Sequence, residues 1–156
     1  MKTKIFFCLI CVIYCSNVFG QSTWEKVYTI FQSIGTIDSV DFTAASMANA
    51  YTSIFDQPTA NTFAQFKGYK RIDPGNPHRS FLFRKVNNGL DPDIVLDPAE
   101  GGSVGVLTDY KKELVRQWIL LGAPKTGVVI DTLLLQNYYN GLGLVPPPKP
   151  PAPDPA

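Results

Sequence analysis

Lys70 to Lys85, K-R-I-D-P-G-N-P-H-R-S-F-L-F-R-K, constrains this chain more than any other stretch. Pro74-Gly75 forces a turn, because proline presets φ and glycine accepts φ > 0. Asn76 then reads as an N-cap and Pro77 as a first helical residue, where its missing N–H costs nothing. A short helix over His78 to Val86 follows. Phe81, Leu82, Phe83 and Val86 give it apolar surface, while Arg79, Arg84 and Lys85 give it charge.

Other helices are placed around this turn by apolar spacing. Thr23 is the expected cap of a first helix reaching Ser33, with Trp24, Val27, Tyr28 and Phe31 on one face and Gly35 ending it. Thr43 is the expected cap of a second, through Phe55, with Met47, Tyr51, Ile54 and Phe55 facing inward. Asn61 to Tyr69 reads as a helical turn or a loop packed through Phe63, Phe66 and Tyr69. Asn87 to Val106, rich in Gly, Asp and Pro, reads as a long loop, and Gly101-Gly102 in it is a weak signal alone. The clearest helix runs from Asp109 to Leu121 behind a Thr108 cap. Leu114, Val115, Trp118, Ile119 and Leu121 form its apolar face, and Gly122 and Pro124 stop it. Asp131 caps a last helix, Thr132 to Asn140, which packs through Leu134, Leu135 and Tyr138. No strand pattern competes, so the expected class is all-α.

The ends differ in kind. Lys2 and Lys4 precede an apolar run from Ile5 to Cys15, and Val18-Phe19-Gly20 suits a cleavage site. Residues 1–20 therefore read as a secretory signal peptide, with an uncleaved anchor as the alternative. Cys8, Cys11 and Cys15 all fall inside it, so the expected mature chain, from Gln21, has no cysteine. That excludes a disulfide, a thiolate metal site and a thiol nucleophile. An export signal without disulfides fits a bacterial envelope protein. Residues 145–156, V-P-P-P-K-P-P-A-P-D-P-A, read as a polyproline II linker or tail.

Composition narrows the chemistry. Without Lys2 and Lys4, twelve basic residues face thirteen acidic ones, a net charge of about −1. Such a chain has no basic field for nucleic acid or an anionic membrane. His78 is the one histidine, so a zinc hydrolase or a Ser-His-Asp triad would rest on it alone; a solvated position at a helix start is its expected place. Walker-type, G-x-G-x-x-G and H-E-x-x-H motifs are absent. No catalytic, metal or cofactor residue is assigned.

Four motifs, in order, carry a resemblance. They are V-Y-T-I-F at Val27 to Phe31, A-Y-T-S-I-F at Ala50 to Phe55, P-G-N-P-x-x-S-x-L-x-R-K at Pro74 to Lys85, and E-L-V-R-Q-W-I-x-x-G-A-P at Glu113 to Pro124. Through them Trp24 to Pro124 resembles the small cytochrome-c-like domains of bacterial envelope proteins, the planctomycete-type cytochrome c group in particular. The resemblance implies an all-α fold with first and last helices crossing around a haem. It also implies a haem-attaching C-x-x-C-H after the first helix, where this chain has Gln32 to Val40, shortened and without cysteine or histidine. A distal methionine would lie in the loop before the last helix; Asn87 to Val106 has none, and Met47, on the second helix, reads as core.

The expected organisation is a signal peptide (1–20), a degenerate cytochrome-c-like domain (21–124), a helical extension (125–144) and a proline-rich linker or tail (145–156). The leading expectation for function is an exported, non-catalytic scaffold or interaction module without covalent haem. It would act in the periplasm or cell envelope beside another envelope protein or a downstream domain, since related proteins continue past such a linker. One alternative is an electron-transfer protein with noncovalent haem at His78. Another is a ligand-binding protein or enzyme reusing the vacated pocket near Arg71, Asp73 and Arg79.

Overall fold

The computed structural model describes residues 20–101 and 107–141. The expected signal peptide but for Gly20, the end of the long loop and the proline-rich segment lie outside the described residues. Among those described the protein is a small, mostly helical domain with six α-helices and one two-strand hairpin. The chain runs α1 (Thr23–Ile34), β1 (Thr36–Ile37), β2 (Val40–Asp41), α2 (Met47–Ile54), α3 (Thr62–Phe66), α4 (Phe81–Val86), α5 (Asp109–Leu120) and α6 (Thr132–Tyr139).

The hairpin corrects the wholly helical expectation. β1 and β2 pair antiparallel, Thr36 with Asp41 and Ile37 with Val40. Asp38 and Ser39 between them have φ of 52° and 63°, the left-handed pair that a tight hairpin uses and that aspartate tolerates. Two residues per strand are too few for alternation to stand out.

Helix starts shift because other side chains do the capping. Ser22, not Thr23, caps α1: its hydroxyl accepts the Glu25 N–H while Glu25 accepts the Ser22 N–H, a reciprocal capping box. Thr23 is buried instead, its hydroxyl accepting from the backbone of Val129 and Ile130. Ser46 caps α2, and Thr43 lies in a turn closed by the Asp41 carboxylate. Asn61 caps α3 and Asp131 caps α6.

The turn at Pro74 keeps its expected form, with Gly75 at φ 82° and Asn76 capping through Arg79. The helix after it is broken in two. Pro77–Arg79 is a single 3₁₀ turn, and α4 begins at Phe81. Ser80 between them is extended and bridges Lys70, because the Lys70 and Arg71 carbonyls accept from Phe81 and Leu82. The Ser80 hydroxyl donates to the Asn76 carbonyl and accepts from the Asp73 N–H.

One core unites α1, α2, the hairpin, α4, α5 and α6. Trp24 stacks on Trp118 at 5.3 Å and 23°, joining α1 to α5 as the apolar spacing predicts. Such pairs add about 0.5–1.5 kcal/mol beyond their buried area. Trp118 Nε1 donates to the Pro124 carbonyl at 3.0 Å. Ile37, Val40 and Phe42 of the hairpin region fill the same core, with Phe31 and Phe42 at 5.1 Å. Met47 is only half-buried at its edge. A smaller cluster of Ala64, Tyr69, Phe81 and Ile94 lies under the long loop.

Some apolar positions face out. Leu121 and Leu134 are exposed, and so are Phe63 and Phe66, the last at 95%. α3 is barely more than one turn, and only Ala64 of it turns inward. No helix among the described residues is long and apolar enough to cross a membrane.

Candidate functional site

The densest polar chemistry lies beneath the hairpin turn. Asp38 is fully buried, which a carboxylate tolerates only with strong partners. Its oxygens accept from the Thr59 hydroxyl at 2.8 Å, the Ala60 N–H at 2.9 Å and the Asn61 N–H at 3.3 Å. Arg71 Nε completes the set at 2.8 Å. The same guanidinium also holds the Asp38 carbonyl and, through the other nitrogen, the Ser53 carbonyl. Arg71 thus ties the start of the organising turn to the hairpin and to α2.

A second carboxylate sits behind the first. Glu100 is buried, and Asn61 Nδ2 donates to both its oxygens at 3.1 and 3.2 Å. Its carbonyl accepts from Ser39 N at 2.8 Å, fixing Pro98–Glu100 against the hairpin. Gly101 follows at φ 67°, where a Cβ would meet the Thr36 carbonyl at 2.8 Å. The Gly101 carbonyl accepts from Lys85 Nζ. Lys85, one of the residues that give this helix its charge, is 2% exposed. Its ammonium stands 5.9 Å from the centre of the Phe81 ring. Burial pushes its ammonium below the usual lysine range, against the opposing pull of Glu100 and Asp38.

Two carboxylates and two cations therefore share one buried centre in electrical balance. Asp38 has its oxygens filled by donors from two segments, residues 59–61 and Arg71, and Arg71 has a carbonyl or carboxylate on each nitrogen. Such saturation holds backbone in place. It joins the hairpin, residues 59–61, Arg71 and the Glu100 strap.

The cluster suggested by sequence separates in space. Arg71 belongs to the buried centre, Asp73 lies beside Lys70 at 3.7 Å, and Arg79 donates to the Gly68 carbonyl at 2.9 Å. His78 is exposed, as its place at a helix start implies. Among the described residues no group of three or more His, Cys, Asp or Glu side chains is arranged to hold a metal ion. Asp38, Asn61, Lys85 and Glu100 were missed because each looks like an ordinary surface residue in sequence. Gly101 was the available signal, since a glycine after an Asp-Pro turn often marks close backbone approach.

No protein family, curated protein or solved structure matches this chain.

Proposed function

We propose that the protein is an exported, non-catalytic module of cytochrome-c-like type, without covalent haem, that serves as a scaffold or interaction domain. Its place would be the periplasm or cell envelope of a bacterium, beside another envelope protein or a downstream domain. The observation that carries this reading is the state of Gln32 to Val40. Covalent attachment needs two thiols and an axial histidine here. The segment instead finishes α1 and forms a hairpin, its apolar residues packed into the core and its turn pinned by Arg71. The packing of α1 on α5 through Trp24 and Trp118 agrees with the first-helix, last-helix arrangement that the motifs imply. Exposed Phe63 and Phe66, and Leu133 and Leu134 on α6, give an interaction module apolar surface to use.

A noncovalent haem would need an iron ligand, and His78 stands exposed on the 3₁₀ turn, outside the core. Export in a bacterial host with active cytochrome c maturation tests both redox readings. The purified protein should be colourless, and titrated haem should give no saturable Soret band. A stoichiometric Soret band surviving purification would restore the electron-transfer alternative. Mass spectrometry of the same sample should find a chain beginning at Gln21; an intact Met1 to Gly20 in the envelope fraction would overturn export with cleavage.

A further inference from the structure

Two Asn-Gly steps lie among the described residues, Asn88-Gly89 and Asn140-Gly141. Both asparagines are exposed, and a glycine, having no Cβ, lets its backbone nitrogen swing onto the preceding side-chain amide. The fold treats the two steps differently. Asn88-Gly89 closes α4 as a complete Schellman motif: Asn88 has φ 56°, its N–H donates to the Lys85 carbonyl at 3.2 Å, and the Gly89 N–H donates to the Arg84 carbonyl at 2.8 Å. Arg84 covers this turn, since a Cβ on Gly89 would stand 3.7 Å from the guanidinium, and Asp91 holds the guanidinium at 3.3 Å. The residues just before it, Lys85 and Val86, are buried. Asn140-Gly141 ends α6 with less support. The Gly141 N–H donates to the Tyr138 carbonyl at 3.1 Å. The buried residues of α6, Thr132 and Leu135, lie in its first half, and Tyr139 and Asn140 are exposed at its end. Helix ends without buried anchors open at little cost, while segments tied to the core open only with it.

We propose that Asn140 is a deamidation site of the folded protein and that the α4 cap protects Asn88. The Gly141 nitrogen, its proton taken by solvent base, attacks the Asn140 Cγ. A C–N bond forms, and the side-chain nitrogen leaves as ammonia with a proton from water. Water then opens the cyclic imide at either carbonyl, giving aspartate or isoaspartate at this position. The attack needs the peptide after Asn140 to rotate out of its setting at φ −83° and ψ 3°, which breaks the Gly141 bond but moves neither buried residue of α6. At Asn88 the same rotation breaks the Gly89 bond and displaces the Arg84 cover. The new carboxylate stands at the C-terminal end of α6, where the helix dipole is negative, so its arrival loosens the last turn.

The exported chain is held in mildly alkaline buffer, and the loss of each asparagine is followed by peptide mapping, with electron-transfer fragmentation to separate aspartate from isoaspartate. The same incubation in guanidinium chloride gives the rate of each step without the fold. In the folded protein Asn140 should convert at nearly its unfolded rate, and Asn88 at least about tenfold below its own. Asn140→Ser, a change at an exposed side chain, should remove nearly all isoaspartate from the folded protein. Asn140 slowed as much as Asn88, Asn88 converting at its unfolded rate, or isoaspartate persisting in Asn140→Ser would each overturn the proposal.

Discussion

Lys85 holds an ammonium in a place where lysine is seldom found, and its titration reports on the buried centre. In the unfolded chain the amine titrates near 10.5; in the fold its value is lowered by burial. A base with a depressed folded value makes the unfolded state the better proton binder between the two values. Below both values the burial penalty is present in full. It is relieved as pH rises through the folded value toward 10.5. The stability of the protein relative to Lys85→Met should therefore rise with pH across that window, read from urea midpoints of the two proteins. The comparison cancels the tyrosines, whose values are raised by burial at Tyr51 and Tyr110 and which act in the opposite direction. A difference flat with pH would show that the amine is hydrated. None of this is visible in the string F-L-F-R-K, where the lysine looks like its arginine neighbour. Which of two adjacent cations turns inward depends on where the Gly101 carbonyl lands, a contact 16 residues away.

At the scale of elements, the turn at Pro74-Gly75 does more than reverse the chain. Gly75 N donates to the Ile119 carbonyl at 2.8 Å, so the turn is fastened to the last turn of α5. Its φ of 82° is open to glycine and strained for other residues, although a Cβ there would touch nothing within 4 Å. Gly75→Val should thus cost about 1–3 kcal/mol from strain alone. His78→Ala should stay within about 0.5 kcal/mol, as for an exposed side chain. A chemical denaturation series ranks the two, and a larger loss for His78→Ala would assign that histidine a contact absent from the fold. The turn, α5 and α6 were legible because each carries its own chemistry: Pro-Gly, a strong apolar stripe, and Asp or Gly at the ends. The hairpin and the break at Ser80 were not, because their hydrogen bonds join segments that sequence spacing does not relate. The caps were misplaced by one residue at α1 and by three at α2, where two hydroxyl or carboxylate residues compete for one role. Ser22-x-x-Glu25 was the readable signal that decides the first.

The whole molecule closes on the stack of Trp24 and Trp118. Trp118 is fully buried, contacts the first helix and donates to the loop that follows its own. Trp118→Ala should cost roughly 3–5 kcal/mol, the range for removing a large buried aromatic, a large fraction of a domain's total. A denaturation midpoint that barely moves would show the core able to collapse around the gap.

Thr23 gives the folded unit a mechanical property. Its N–H reaches the Gly127 carbonyl at 3.0 Å, and its hydroxyl receives Val129 at 3.0 Å and Ile130 at 3.3 Å. The first turn of α1 is thus tied to the strand of chain that leads into α6. Tension applied between residues 21 and 141 would load α6, held by Leu135 and by the Lys26–Thr132 bond, and these three bonds. Pulling α6 away removes Leu135 from the core, so tension at the C-terminal end reaches the core before it reaches these bonds.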